Sequence, residues 1–319
     1  MSQIHQPRTD RPIGRIEPIG RIEPIGIVGP IGITGPIGII GATGLEIGLF
    51  KKRMKHIERE KVGNSQFFRG HFSGREIVLV QSGIGYYHAS NACSHMIERF
   101  SPFVIVSIGL AGSVDMATKV GDILLAPHLL WVRDTEELKV EKTYTLDKSL
   151  IEITSNILAR YDIEFTLGKV LTVPSFIFKI EERYRIGREL KVKAVEMEGA
   201  AIAGEAIKHR VPLLILRMIS DDMSTREIDY SMLVGTTGKA TLRGAVRFSL
   251  VHRRDLLEVF RFGRQLRRLG KSLSGIGARI VEEITPLSVD PGWEKDVPVL
   301  RRKMLCNHLH SNGREIEVS

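Results

Sequence analysis

Short apolar segments alternate with amphipathic segments through the middle of the chain. The apolar segments, rich in valine, isoleucine and leucine, are predicted strands over 38–40, 77–81, 103–108, 121–126, 165–173, 194–195 and 213–219. Predicted helices, with apolar residues at helical spacing, cover 45–54, 88–100 and 200–209. Near-continuous apolar strands that alternate with helices are typical of a sheet covered on both faces. The pattern therefore predicts a single-domain α/β fold with a mixed twisted sheet flanked by helices.

The amino-terminal segment repeats a six-residue unit five times between Gly14 and Thr43. Proline recurs at every sixth position up to Pro36 and removes a backbone donor each time, so only 37–40 is compatible with a central strand. We therefore predict that residues 1–36 form a repetitive, disordered tail. A hexapeptide β-helix is the alternative, but five units make fewer than two coils, which is too few to bury a core.

The carboxyl-terminal part of the chain is strongly basic. Arginine and lysine concentrate between Arg243 and Lys271, where leucine and phenylalanine recur at near-helical spacing. The pattern predicts a main domain over 37–250, a basic amphipathic helical extension over 251–284 and a loosely ordered tail over 285–319. The simpler interpretation of this helix is that it packs on the domain by its apolar side; contact with nucleic acid or a membrane surface is the alternative.

The composition is that of a globular protein, because 319 residues with 43% apolar content are enough for a sizeable core. Two cysteines, Cys93 and Cys306, do not make a disulfide framework. No uncharged apolar run reaches the roughly eighteen residues of a membrane span, and we expect a cytoplasmic protein. The net charge of +9 favours acidic partners only where it forms a patch.

Polar and glycine-rich segments follow several predicted strands, at the edge where α/β sheets bind ligands. These segments are Glu46, the loops 82–85 and 109–112, the pair Glu196 and Glu198, and Asp221. Separate carboxylates at one edge indicate acid/base work on a polar organic substrate. An oxocarbenium-like transition state needs such a set: an acid for the leaving group, a base for water and an acceptor for sugar hydroxyls. Acids in the first turn of a helix also complement the helix dipole, which is the structural alternative.

The motifs resemble those of the nucleoside phosphorylase/nucleosidase superfamily, and most of all the 5′-methylthioadenosine/S-adenosylhomocysteine nucleosidases. The resemblance covers roughly 37–240 and rests on GIIGATGLE (38–46), SGIG (82–85), GLAG (109–112), VGD (120–122), VEME (195–198) and ISD (219–221). It implies a nucleoside phosphorylase-like fold, hydrolysis of a purine nucleoside, a homodimer, and no metal or organic cofactor.

The resemblance also implies roles for individual residues. Glu46 corresponds to the base that activates the attacking water. Asp221 corresponds to the acid that protonates the purine N7, a task that burial in an apolar cleft would favour. Glu198 corresponds to the acceptor for the ribose hydroxyls. The remaining implied substrate-binding residues are Phe176, which stacks on the purine, Ile177, whose backbone reads the purine edge, Met197 against the sugar, Glu196 in support, and Ser220, Gly109, Ala111 and Gly112.

Two departures from the superfamily pattern bear on the nucleophile. Phosphorolytic members carry an arginine where this chain has 106–108 (Val-Ser-Ile), which favours water over phosphate. Nucleosidases offer a hydroxyl where this chain has Leu110, which leaves the water site open. A phosphorylase and a catalytically impaired nucleoside-binding protein therefore remain alternatives. A dinucleotide site at 41–44 is more distant, because Ile47 stands where that fingerprint needs glycine. Tyr230 is a candidate wall for the 5′ end of the substrate.

Overall fold

The computed structural model describes residues 35–225 and 256–285, with the backbone alone described for 256–260. Several predictions fall outside these residues: the tail before residue 35, the tail after residue 285, Tyr230, and the arginines between Arg243 and Arg254.

The described residues form twelve strands and six helices. The strands are β1 (Ile37–Gly41), β2 (Lys55–Val62), β3 (Ser65–Phe72), β4 (Arg75–Gln81), β5 (Val104–Ser113), β6 (Ile123–Leu125), β7 (His128–Val132), β8 (Val140–Thr145), β9 (Thr166–Leu167), β10 (Val170–Thr172), β11 (Ala194–Glu196) and β12 (Leu213–Asp221). The helices are α1 (Gly44–Arg53), α2 (Tyr86–Phe100), α3 (Lys148–Arg160), α4 (Ile180–Leu190), α5 (Gly199–Lys208) and α6 (Leu256–Glu283). None of these helices is both long and apolar enough to cross a membrane.

The strands form one mixed sheet in the order β2-β3-β4-β1-β5-β11-β10-β7-β8. Strand β12 pairs with β5 and β6, and β6 pairs with β9. The pairs of β1 with β4 and β5, and of β5 with β12, are parallel, whereas β11 runs antiparallel to β5. The predicted mixed α/β sheet flanked by helices is confirmed.

Strand β5 brings the predicted site segments together. It pairs along its length with β12 and at its carboxyl end with β11, where Val195 lies opposite Gly112. Because β11 runs antiparallel to β5, its carboxyl end turns back along β5 toward Gly109. Glu196, the last residue of β11, and Glu198 therefore lie close to the carboxyl ends of β5 and β12, and they line one cavity with Gly112 and Asp221.

The predicted strand over 165–173 is instead two short strands. Residues of β9 pair with β6, whereas residues of β10 pair with β7 and β11. The chain changes partners at Gly168, where an added Cβ would lie 2.5 Å from Lys193 Cδ. The sequence does not indicate this change of partner strand, because β9 and β10 are both made of threonine and aliphatic residues.

Helix α6 packs closely against α1. A Cβ added at Gly270 would lie 2.6 Å from the carbonyl oxygen of Leu45, so only glycine allows this approach. The Ser274 hydroxyl, one turn further, donates to the carbonyl oxygen of Glu46. The apolar side of α6, including Leu273 and Ile280, is buried, while the basic residues Arg261, Arg264, Arg267, Arg268 and Lys271 are exposed.

Candidate active site

A cavity of about 220 Å³ opens at the edge where β1, β5, β11 and β12 end. Ten of the eleven predicted site residues line it: Glu46, Ala111, Gly112, Phe176, Ile177, Glu196, Met197, Glu198, Ser220 and Asp221. Gly109 does not line the cavity. It lies behind the wall, where an added Cβ would come within 3.4 Å of the Arg217 guanidinium.

Glu46 stands in the first turn of α1 and is both a helix-capping residue and part of the cavity wall. Its Oε2 accepts from the backbone N–H of Thr43 at 2.7 Å, and its Oε1 accepts from the backbone N–H of Leu110 at 3.1 Å. Burial raises the pKa of Glu46 above its ordinary value, although these N–H groups and the Arg217 charge oppose the rise. A raised pKa suits a general base that works near neutral pH.

Glu196 is held by a buried arginine. Its Oε2 lies 2.8 Å from Arg217 Nη2 and accepts from the backbone N–H of Gly199 at 2.7 Å. Arg217 is 2% exposed, and its Nη1 also lies 3.1 Å from Ser107 Oγ. The Thr172 hydroxyl donates to the other carboxylate oxygen of Glu196 at 2.5 Å. These contacts occupy the Glu196 carboxylate, so it fixes the start of α5 instead of offering a vacant acceptor.

Glu198 lies two residues further and has a different environment. The backbone N–H of Gly85, at the start of α2, donates to its Oε1 at 2.6 Å. Burial, reinforced by the charge of Glu196, raises the pKa of Glu198 well above its usual range. The described residues place Arg217 on Glu196 and no ion pair on Glu198. Glu198 is therefore the carboxyl group of this pair that is available to a ligand.

Asp221 ends β12 and faces the cavity between a cation and a hydroxyl. Its Oδ2 forms an ion pair with Arg183 Nη2, and its Oδ1 lies 2.5 Å from Ser220 Oγ. A Cβ added at Gly112 would lie 3.1 Å from Oδ2, so this glycine leaves room for the carboxylate. The apolar cleft expected around Asp221 is not found there; the structure places an arginine beside the carboxylate instead.

The neighbouring acid, Asp222, does not line the cavity. It accepts from the backbone N–H of Ser224 at 2.9 Å and of Val120 at 3.3 Å. Burial alone would raise the pKa of Asp222, but the hydrogen bonds that its carboxylate accepts lower this pKa below its ordinary value. The two adjacent acids therefore have separate tasks: Asp222 stabilises the loop, and Asp221 faces the ligand space.

Aromatic and aliphatic side chains close the remaining walls. Phe176, which is 46% exposed, lies with its ring centroid 5.9 Å from that of Phe178. Ile177 is buried, and its carbonyl oxygen accepts from Arg183 Nε at 2.8 Å. Helix α6 adds Phe262 and Leu266 to the wall. The cavity thus combines a polar edge with apolar faces, as expected for a ligand that has both.

Sequence reasoning missed the partners of the acids. Arg217 is a single cation within an apolar strand, which was a usable signal for a buried ion pair. Arg183 gave no signal, because α4 is rich in charged residues and only the fold shows which one points inward.

Comparisons with known proteins show the family of this chain. The model of the phosphorylase superfamily matches residues 36–245. A 5′-methylthioadenosine/S-adenosylhomocysteine nucleosidase of Staphylococcus epidermidis is 33% identical over 187 residues, which are 55% of this chain and 82% of that protein. A protein of the same name from Listeria welshimeri is 34% identical over 191 residues, with the same two coverages.

Solved structures share the fold. The 5′-methylthioadenosine/S-adenosylhomocysteine nucleosidase of Neisseria meningitidis, in complex with methylthio-immucillin-A, has a TM-score of 0.61 at 22% identity, covering 79% of this chain and all of that chain. A futalosine hydrolase mutant of Helicobacter pylori has a TM-score of 0.62 at 23% identity, with the same coverages.

Proposed function

The chain belongs to the phosphorylase superfamily, and we propose that it hydrolyses the N-glycosidic bond of a 5′-modified adenosine such as methylthioadenosine or S-adenosylhomocysteine. The observation that carries this proposal is the meeting of Glu46, Glu198 and Asp221 in one cavity. They supply the base, the hydroxyl acceptor and the acid that an oxocarbenium-like transition state needs.

Asp221 is the proposed acid. In this role it gives a proton to N7 of the purine while the C1′–N9 bond breaks and its electron pair moves to the base. The base then leaves as a neutral molecule. Arg183, whose Nη2 pairs with Oδ2, and the Ser220 hydroxyl hold this carboxylate in the cavity.

Glu46 is the proposed base. It takes a proton from a water molecule whose oxygen forms the new bond to C1′. Glu198 accepts hydrogen bonds from the 2′- and 3′-hydroxyls, and the Gly85 N–H at 2.6 Å fixes its orientation. Met197 lies against the sugar and Phe176 against the purine face, where stacking holds the base.

Water is the proposed nucleophile because, among the described residues of the cavity wall, every cation is already paired and none is left to bind phosphate. Arg183 is the only lysine or arginine among the described lining residues, and it pairs with Asp221. Arg217, behind the wall, is engaged by Glu196 and Ser107.

A catalytically impaired nucleoside-binding protein is the second candidate. It is favoured by Leu110, which gives Glu46 a backbone N–H at 3.1 Å but has no hydroxyl to hold a water molecule. This candidate keeps the purine and ribose contacts and lacks turnover.

Incubation of the purified protein with methylthioadenosine, with and without phosphate, followed by chromatography, separates the candidates. We expect free adenine and methylthioribose at equal rates in both conditions. A methylthioribose 1-phosphate product would identify a phosphorylase. Binding without release of any base would identify the binding protein.

We also propose a homodimer in the cytoplasm, since members of the superfamily commonly pair. Contact of the basic face of α6 with nucleic acid or a membrane surface is the less favoured possibility, because the apolar side of this helix is already buried on the domain. Light scattering coupled to gel filtration measures the assembly directly, and a monomer would refute the dimer.

A further inference from the structure

Arg183 joins Asp221, the proposed acid, to Ile177, whose backbone the family resemblance places at the purine edge, and its role as inferred here rests on the proposed function. Its Nη2 forms an ion pair with Oδ2 of Asp221, and its Nε donates to the carbonyl oxygen of Ile177 at 2.8 Å. The pair is largely buried, with 11% of the Arg183 side chain and 15% of the Asp221 side chain exposed. A guanidinium is a rigid, planar fork of donors, so one cation sets the spacing between the carboxylate and the carbonyl.

The packing of α4 fixes the position of this guanidinium. A Cβ added at Gly187 would lie 2.1 Å from the carbonyl oxygen of Val114, so α4 rests directly on the segment after β5. On the other side of the ion pair, a Cβ at Gly112 would lie 3.5 Å from Arg183 Nη2. Arg183 therefore reaches Asp221 from a helix whose backbone cannot shift outward without losing contact with the sheet.

We propose that Arg183 is a positioning residue for activation of the leaving base. It holds Asp221 at the purine edge that the Ile177 carbonyl contacts, and it acts through these two groups without touching the reacting atoms. Displacement of a catalytic group by about 1 Å can lower the rate on the order of 100-fold. Removal of the Arg183 guanidinium should therefore lower the rate measurably.

The first test compares two substrates in the Arg183→Gln variant. Methylthioadenosine needs a proton on its leaving base, whereas the 4-nitrophenyl glycoside of 5-methylthioribose releases a phenolate that needs none. We expect kcat on methylthioadenosine to fall about 100-fold, and kcat on the nitrophenyl substrate to stay within about twofold, since general acid catalysis contributes nothing there. Equal losses on both substrates would reveal a merely structural role and overturn the proposal.

Arg185→Gln is the matched control. Arg185 stands two residues further on α4 and donates to the backbone oxygens of Glu136 at 2.9 Å and Thr135 at 2.5 Å, away from the cavity. Arg185→Gln also removes hydrogen bonds that hold α4 to the backbone of another segment. Because these bonds lie away from the cavity, we expect near-normal kcat on methylthioadenosine. A loss as large as that of Arg183→Gln would overturn the specific role of Arg183.

A double-mutant cycle tests the route through Asp221 without the artificial substrate. Because Arg183 acts through the acid, adding Arg183→Gln to Asp221→Asn should change kcat on methylthioadenosine by less than about threefold. Fully additive losses would contradict the proposal. A wild-type protein that releases no adenine refutes the proposed function itself, whereas an active wild type with an equally active Arg183→Gln variant refutes only this inference.

Discussion

At the scale of single residues, each cavity carboxylate has a different partner, and the partner decides what the carboxylate can do. Glu196 is neutralised by Arg217 and holds the chain. Glu198 accepts from a backbone N–H and has no ion-pair partner among the described residues, so it can accept hydrogen bonds from hydroxyl groups. Asp221 is oriented by Arg183 and Ser220. One short acidic motif therefore contains one carboxylate that holds the chain and one that is available to a ligand.

Asp221→Asn keeps the shape of the side chain but removes the transferable proton. We expect kcat on methylthioadenosine to fall by at least about 100-fold, the usual contribution of general acid catalysis, while nucleoside affinity changes little. Adenine release and isothermal titration measure the two effects.

The adjacent Asp222→Asn is the control for that variant. Asparagine keeps only one of the two oxygens that accept from the Ser224 and Val120 N–H groups, so the variant should lower the melting temperature and leave kcat near normal. An Asp221→Asn enzyme with normal kcat would mean that another group is the acid.

Glu198→Gln should stabilise the protein while it removes ribose binding. The pKa of Glu198 rises from an ordinary value of 4.5, so folding retains a proton that the unfolded chain releases. The stability that this proton provides is complete below pH 4.5 and is lost as the pH rises through the folded-state pKa.

The glutamine variant carries no ionisable group at this position, so its stability does not fall with rising pH in this way. In the wild type, raising a pKa by one corresponds to about 1.4 kcal/mol. In thermal unfolding, the melting temperature of Glu198→Gln should therefore lie several degrees above that of the wild type at pH 8. At pH 4.5 the two proteins should have equal melting temperatures. An equal difference at both pH values would contradict the burial of an ionisable Glu198.

At the scale of elements, the contact between α1 and α6 positions Glu46, the proposed base. Helix α1 carries Glu46, and α6 touches the same turn through Gly270 and the Ser274 hydroxyl. Helix α6 also supplies Phe262 and Leu266 to the cavity. The basic segment is therefore a wall of the site as well as a charged surface.

Gly270→Ala should force α6 away from α1. The added Cβ would lie 2.6 Å from the Leu45 carbonyl oxygen, a backbone atom that cannot move alone. We expect a loss of about 1–3 kcal/mol in the free energy of unfolding, as for overpacked cores, and a lower kcat because Glu46 shifts. Denaturant unfolding and adenine release measure these changes.

Gly263→Ala on the same helix is the matched control, because no atom lies within 4 Å of its added Cβ. Replacing this helical glycine should stabilise the protein by about 0.5–1 kcal/mol. Equal effects of the two substitutions would mean that α6 does not pack closely at Gly270.

The sequence predicted the apolar strands of the sheet centre and the acids that follow them, because both depend on local patterns. It did not predict β2, whose residues are almost all exposed and show no alternation. Nor did it predict α4, where Ile186 is the only fully buried residue of the helix. The sequence also did not predict the partners of the acids, since Arg183 lies 38 positions before Asp221 and only the fold brings them together.

At the scale of the whole molecule, the described part of the chain already makes contacts just before β1. The backbone N–H of Phe103 donates to the carbonyl oxygen of Pro36 at 3.2 Å, and a Cβ at Gly35 would lie 2.4 Å from the Ser101 carbonyl oxygen. Residues 35 and 36 are thus in contact with the chain that leads into β5, even though the repeat pattern grouped them with the tail.

Deletion of residues 1–34 should leave kcat/KM on methylthioadenosine within about twofold, because the repeat pattern predicts a tail outside the domain and terminal tails are commonly dispensable. A deletion that extends to residue 36 should cost stability, since it removes the Phe103 contact. Thermal unfolding and adenine release of both truncations measure this boundary. A large loss of activity in the shorter deletion would assign a role to the repeats.

The position of α6 in the chain has a consequence for synthesis. Domains fold as the chain leaves the ribosome, amino-terminal parts first. The four carboxylates that line the cavity have emerged by residue 221, but Phe262 and Leu266 follow about 40 residues later. In a nascent or prematurely terminated chain that stops before α6, the cavity would lack the wall that Phe262 and Leu266 supply, and its acids would be open to bulk water.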